Sequence, residues 1–275
     1  MRPSSSPLPG FGLGMGVLLA ALGIVVLLPL GALIGRGVAM GPAELAGHLA
    51  SSRVGAALAL SFRAALIASA FNLVFGLALA WVLTRYRFPG RRLIDAAVDL
   101  PFALPTAVAG IALTTLYAPS GVFGGLLEPL GIRIAYTEAG IWLALVFVGL
   151  PFVVRTVQPV IDEIDPEWEE ASATLGASRL RTLRRVVLPT LAPALTTGFA
   201  LALARSVGEY GSVIFIAGNL PNRTEIAPLL IVIRLEEYHY DAAAAIGLAM
   251  LGISFSMLLV INATQVWNRR RIGHV

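Results

Sequence analysis

The side chains best suited to chemistry in this sequence are a few charges set in apolar surroundings. Arg205 and Glu209 stand four residues apart, which puts them on one face of a helix. If that helix starts near Leu191, Arg205 lies about 21 Å along it at 1.5 Å per residue, well inside a bilayer. Charges at such depth pair with one another or line a cavity; they rarely face lipid. Two readings follow. Arg205 and Glu209 form a neutralising ion pair that fixes helix packing, or Arg205 stands at an anion pathway or gate with Glu209 moderating its charge. The second is compatible with conduction, which needs weak binding. Arg63 and Arg155 either line the same cavity or snorkel to an interface. The second concentration of charge lies in 162–190, DEIDPEWEEASATLGASRLRTLRRVVLPT, where six acids fill the first nine residues and four arginines follow within seven.

Much other chemistry is excluded. With no cysteine there are no disulfides, thiolate metal sites or cysteine nucleophiles. The three histidines, His48, His239 and His274, are too scattered in sequence for a metal cluster. All 20 basic residues are arginine. Without lysine the chain cannot hold a standard Walker A loop, whose lysine reaches the nucleotide phosphates. Any ATP-driven step therefore belongs to another polypeptide.

The elements that must position these charges are membrane helices. Of 275 residues, 57% are hydrophobic and only 13% charged, where soluble domains carry about 25% charged residues. The net charge of +4 and pI near 9.9 mark cytoplasmic loops in a chain this apolar, and do not indicate nucleic acid. Charge-free runs predict six spans, near 12–34, 62–84, 96–118, 139–160, 191–217 and 242–266. A kink is expected at Pro101 and Pro105. The first span is too long for a signal-peptide core and is expected to be retained. With the N-terminus inside, 12 arginines fall on the inner side and five (Arg36, Arg53, Arg133, Arg223, Arg234) on the outer. This arrangement puts both termini in the cytoplasm. The outer loops are then 35–61, 119–138 and 218–241. Glu225, Glu236 and Glu237 are expected to be solvated there, or to meet a docking protein. Tyr117, Trp142, Tyr238 and Tyr240 read as interfacial anchors.

Within 162–190, Pro166 opens a helix with Asp165 as N-cap, and acids in the first turn suit its dipole. Gly176 breaks it. Leu180, Leu183, Val186 and Val187 form a second amphipathic stretch that ends at Leu188-Pro189. From these residues alone the segment is a helix–turn–helix at the membrane surface, and an ordinary headgroup-bound loop fits equally well.

The spacing Glu170-Ala171-Ser172, three residues, Gly176, nine residues, Val186-x-Leu188-Pro189 resembles the Glu-Ala-Ala loop of ABC importer permeases. Ser172 and Val186 are its two conservative departures. The resemblance implies a coupling role for Glu169, Glu170, Ala171, Ser172, Gly176, Ala177, Leu188 and Pro189, which would dock in a cleft of a cytoplasmic ATPase. The stretch from Arg205, with Gly208-Glu209-Tyr210-Gly211, Ile216-Ala217-Gly218-Asn219-x-Pro221 and Thr224-Glu225-Ile226-Ala227-Pro228-Leu229, is similar to the T-type chain of bacterial sulfate/thiosulfate importer permeases.

This resemblance implies an all-α polytopic membrane protein with six transmembrane helices and the type I ABC importer permease fold. The implied partition is a 1–11 tail, a first helix and outer loop over 12–59, a permease domain over 60–266 and a 267–275 tail. The implied partners are a second homologous permease (a heterodimer), two copies of a cytoplasmic ABC ATPase, an extracytoplasmic sulfate-binding protein and membrane lipid, with no nucleic acid. The chain itself would be no enzyme and hold no cofactor, ATP and magnesium belonging to the ATPase. The implied location is the bacterial inner membrane. Three rival readings remain: a molybdate or tungstate permease, a polytopic membrane enzyme, and an ion-coupled carrier.

Overall fold

The computed structural model describes the backbone of residues 11–272 and the side chains of 11–265. Arg2, Ser4–Ser6 and the rest of 1–10, His274, and the side chains of Arg269, Arg270 and Arg271 lie outside the described residues. Among the described residues the regular elements are helical, with no strand.

Six helical units are long and apolar enough to cross a membrane. The first joins α1 (Phe11–Leu22) to α2 (Leu28–Leu49) through a π-helical turn, Gly23–Leu27. It runs far past the expected 12–34. The expected outer loop 35–61 is instead helix, broken at Gly41 (φ 74°) ahead of Pro42. Glycine tolerates that left-handed angle, and the chain turns there without unravelling. Next, α3 (Ser52–Arg85) begins ten residues before the expected start and has 34 residues. At about 51 Å it exceeds the roughly 30 Å hydrocarbon core and projects beyond it.

The third crossing is not one kinked helix over 96–118. The chain is divided there into α4 (Arg91–Val98) and α5 (Leu100–Ala103), which precede the span, and α6 (Thr106–Tyr117) and α7 (Val122–Leu127), which lie in the crossing Thr106–Leu130. Leu104 is extended (ψ 134°), because the ring of Pro105 disfavours helical geometry in the residue before it. An unbroken helix, α8 (Glu138–Glu163), then crosses with Pro151 and Pro159 inside it. The surface helix α9 (Pro166–Thr174) leads to α10 (Arg179–Thr182), a second π turn (Leu183–Val187) and α11 (Leu188–Val207).

Pro189 therefore does not end the amphipathic stretch. The Leu188 amide donates to Leu183 O across the π turn, and the helix continues through the proline, which has no N–H to contribute. The same device precedes Pro29. The fifth span stops at Val207, not 217. It is followed by α12 (Val213–Ile216), α13 (Ala227–Glu236) and α14 (Tyr240–Ile272). The last helix passes the expected end at 266. It runs antiparallel to the first, since Arg36 meets Asp241 and Gly247 faces Leu33.

The core is the bundle of α3, α8 and α11. Lipid offers no hydrophobic drive for helix association, so close packing between small residues holds it. Ala64, Ala65, Ala68, Ala144 and Ala202 are buried in it. At Gly149 a Cβ would stand 2.6 Å from Asn72 Nδ2 and 3.4 Å from Ser206 Oγ. At Gly198 it would stand 3.1 Å from the Val153 Cα. By contrast α1 has no buried residue, and α2 touches the bundle through α14, where Gly37 receives Leu248.

Gly149→Val forces two helices apart. It should destabilise the protein by about 1–3 kcal/mol, read as a lower melting temperature in detergent. Gly252→Ala, with open space around it, should leave that temperature unchanged.

Candidate functional site

The surface helix α9 is closed at both ends by its own sequence. The Asp165 carboxylate accepts the Glu167 amide at 3.0 Å, and Pro166 needs no partner in the first turn. At the other end Gly176 takes φ 78°. Its amide donates to Ala173 O and the Ala177 amide to Ser172 O, which is the Schellman pattern that left-handed glycine makes possible. The chain thereby reverses into α10, and the Ser172 and Thr182 hydroxyls meet at 2.8 Å across the turn.

Two neighbouring acids divide in role. Glu169 accepts from Arg85 at the end of α3, at 3.0 Å, and fastens α9 to the bundle. Glu170 and Ala171 are exposed, and among the described residues no cation pairs with Glu170. Ser172 and Ala177 are half-buried and Gly176 is exposed. Leu175 (88% exposed) and Trp168 (51%) add apolar surface beside them. Leu188 and Pro189 lie one helix further on, where the π turn joins the loop rigidly to α11. All eight residues thus belong to one continuous structure, with Glu170, Ala171 and Gly176 outermost.

The far end of α11 carries Arg205. Ser206 packs at Gly149, 11 residues or about 16 Å into α8, and α11 stops there. Arg205 is in the last turn, where a cation suits the helix dipole. Glu209 has left the helix, is 3% exposed, and pairs with Arg205 Nη1 through Oε2. Its Oε1 accepts from Ser212 N at 2.9 Å and Ser212 Oγ at 3.0 Å. The carboxylate is thus fully engaged, while the Arg205 side chain keeps 35% of its surface open.

Several other charges that sequence reasoning left unpaired have partners. Arg155 does not stand free. It holds Asp99 by Nε (2.8 Å) and Nη2 (2.7 Å), and Asp95 by Nη1 (2.7 Å), clasping α4 and α5 to α8. Two acids four residues apart, opposite an arginine in an apolar helix, were the available signal. Glu225 is not solvated. It is 2% exposed and forms a bidentate pair with Arg53 at 2.7 Å for each bond, a contact across 172 residues with no local signature. Arg63 meets Glu138 at 2.7 Å. Glu237 stays exposed and pairs with Arg234. Among the described residues no group of histidine, cysteine or carboxylate side chains could hold a metal ion.

Broken membrane helices around a tight three-helix bundle, with a capped helix–turn–helix on one face, define a multi-pass membrane permease subunit. The chain belongs to the family described as "Binding-protein-dependent transport system inner membrane component", whose profile matches residues 72–274. It is 50% identical over 268 residues to the "Sulfate transport system permease protein CysT" of Salmonella typhimurium, covering 97% of both chains. It is 49% identical to the Escherichia coli protein of that name, again over 97% of both. Among solved structures, a bacterial ABC transporter involved in import of the acidic polysaccharide alginate matches with a TM-score of 0.75 and 18% identity, covering 96% of each chain. A second alginate transporter structure, in complex with a pentasaccharide-bound periplasmic protein, matches at 0.75 and 19%, covering 96% of this chain and 95% of that one. At these identities the likeness is one of fold.

The Asp95 carboxyl lies outside the spanning segments. Desolvation raises its pKa, but hydrogen bonds from Arg155 and Gln158 and the charges of Arg155 and Arg91 outweigh this and hold it below its ordinary 3.8. A depressed carboxylate stabilises the fold above its unfolded pKa, and that contribution is lost as pH falls through the folded one. The melting temperature should therefore drop between about pH 5 and about pH 3, and Asp95→Asn should show a smaller drop across this window.

Proposed function

We propose that this chain is one of two membrane permease subunits of an ATP-driven importer of sulfate, and of thiosulfate with it. The observation that carries the substrate is the 50% identity, over 97% of both chains, to a permease named for sulfate transport. In this reading the face bearing α9 is cytoplasmic, both termini lie on that side, and the membrane is the bacterial inner membrane. The partners are a homologous second permease, two copies of a cytoplasmic ATPase and an extracytoplasmic sulfate-binding protein. Transport makes no covalent change in the substrate. The chain holds no cofactor, and ATP and magnesium bind the ATPase. A molybdate permease is disfavoured, since the relatives above carry sulfate in their names.

The coupling surface is Glu170, Ala171 and the exposed flank of α9. Glu170 offers charge-assisted hydrogen bonds and Ala171 permits close approach. Glu169 and Ser172 serve inward, tying α9 to α3 and α10. Gly176, Ala177, Leu188 and Pro189 shape the turn and the rigid join to α11. A push on α9 is thereby delivered along α11 to Arg205 and Glu209. Glu209 acts as the fixed half of the pair, anchored on Ser212. Arg205, still partly open, is the half that an oxyanion can meet.

Proteoliposomes carrying the four kinds of chain, with labelled sulfate outside and molybdate as competitor, test this. Uptake should need ATP and be lost in Glu170→Arg, with assembly intact. Preference for molybdate would overturn the substrate, and uptake without the ATPase would overturn the importer reading. Arg205→Met with Glu209→Gln keeps the Ser212 contact and removes the charges. It should fold normally and lower uptake at least tenfold, whereas full uptake would make the pair a packing device only.

A further inference from the structure

We propose that a groove on the α9-bearing side of the molecule is a binding site for an anionic phospholipid, with its acyl chain in the groove and its phosphate at an arginine-lined mouth. The groove is a cavity of about 740 Å³ between α3 and the start of α11. Val74, Leu77 and Ala78 on α3 face Leu183, Leu188 and Leu191. These walls are apolar and match an acyl chain. The mouth differs in chemistry, being lined by Trp81, Tyr86 and Arg87.

Three observations favour a lipid over a helix of another protein. First, the charge at the mouth is one-sided. Arg87 lines it, and Arg184 and Arg185 follow the lining residue Leu183 and are exposed. Among the described residues no carboxylate pairs with any of these three. The nearest acid in sequence to the loop helix's inner face, Glu169, is already held by Arg85. Second, Trp81 and Tyr86 are the residue types that settle at headgroup level, so the mouth and the lipid phosphates share one depth. The Arg85 guanidinium lies 5.3 Å from the centre of the Trp81 ring, which fixes that indole at the rim. Third, basic residues at a membrane surface attract anionic lipid, and an arginine can bind a phosphate bidentately. An apolar slot with an unpaired arginine, Arg87, in its lining fits both halves of a phospholipid. A partner helix would have to bring its own acids.

The site also adjoins the join between loop and bundle. Leu183 lies in the π turn that connects α10 to α11, so an occupied groove would brace the segment through which α9 acts.

Trp81 provides the probe. The full chain, purified with its companion subunits, is placed in nanodiscs containing either phosphatidylglycerol or phosphatidylcholine with dibrominated acyl chains. The fluorescence quenching that disappears in Trp81→Phe is the signal of this site. Brominated phosphatidylglycerol should quench Trp81 at a lower mole fraction than phosphatidylcholine. Arg87→Gln should weaken that preference about fivefold. Ala78→Phe, which fills the groove from an exposed position, should abolish the Trp81 quenching with an unchanged melting temperature. Equal quenching by the two lipids, unaltered by Arg87→Gln, would overturn the proposal in favour of ordinary boundary lipid. Absence of Trp81 quenching by either lipid would overturn it in favour of a protein helix filling the groove.

Discussion

A backbone that breaks inside a bilayer must satisfy its own amides and carbonyls, because hydrocarbon offers none in return. This constraint explains most of the unusual local structure. Where a Leu-Pro pair removes an amide donor, the helix widens into a π turn and continues, at Gly23–Leu27 and again at Leu183–Val187. Where α11 stops, the Glu209 carboxylate takes the Ser212 amide. Further on, the Thr224 hydroxyl accepts the Leu220 amide, Asn219 donates to Ile214 O, and Ser61 accepts the Ala227 amide from another helix. The Tyr136 amide closes on Ile216 O. The irregular stretch 208–226 is held at these points by named partners.

The buried charges obey the same rule. Removing an arginine and a carboxylate from water is costly unless each finds the other with good geometry. Glu225 and Arg53 do so through two parallel bonds, and Glu209 divides its oxygens between Arg205 and Ser212; Arg155, with part of its side chain still open, spans two half-exposed aspartates. These pairs also fix topology. Arg53 ties the irregular stretch to the start of α3, and Arg155 ties the short helices ahead of the third crossing to α8. The break at Leu104-Pro105 is therefore held at a definite angle.

Between the surface helix and the Arg205–Glu209 pair the chain leaves little slack. The turn at Gly176 is closed by two backbone bonds and one hydroxyl pair. From α10 the helix runs without interruption to Arg205. In the bundle, Gly149 and Gly198 bring α8 against α3 and α11 at backbone distance, so α11 moves with its neighbours or not at all.

The amino-acid sequence by itself determined the membrane class, the six crossings, the caps of α9 at Asp165 and Gly176, and the pairing of Arg205 with Glu209. Each is a local matter of apolar run length, turn chemistry or four-residue spacing. The sequence misplaced an end of every crossing but the fourth. A charge-free run marks where lipid is tolerated, not where hydrogen bonds stop, and Gly208 ends α11 while the apolar run goes on. It also left Glu225 in solvent and Arg155 unassigned. Their partners lie 172 and about 60 residues away, and no periodicity records which helix will be neighbour to which. Only the packed bundle decided that, because in a medium without water a charge takes its state from whatever the fold brings within 3 Å.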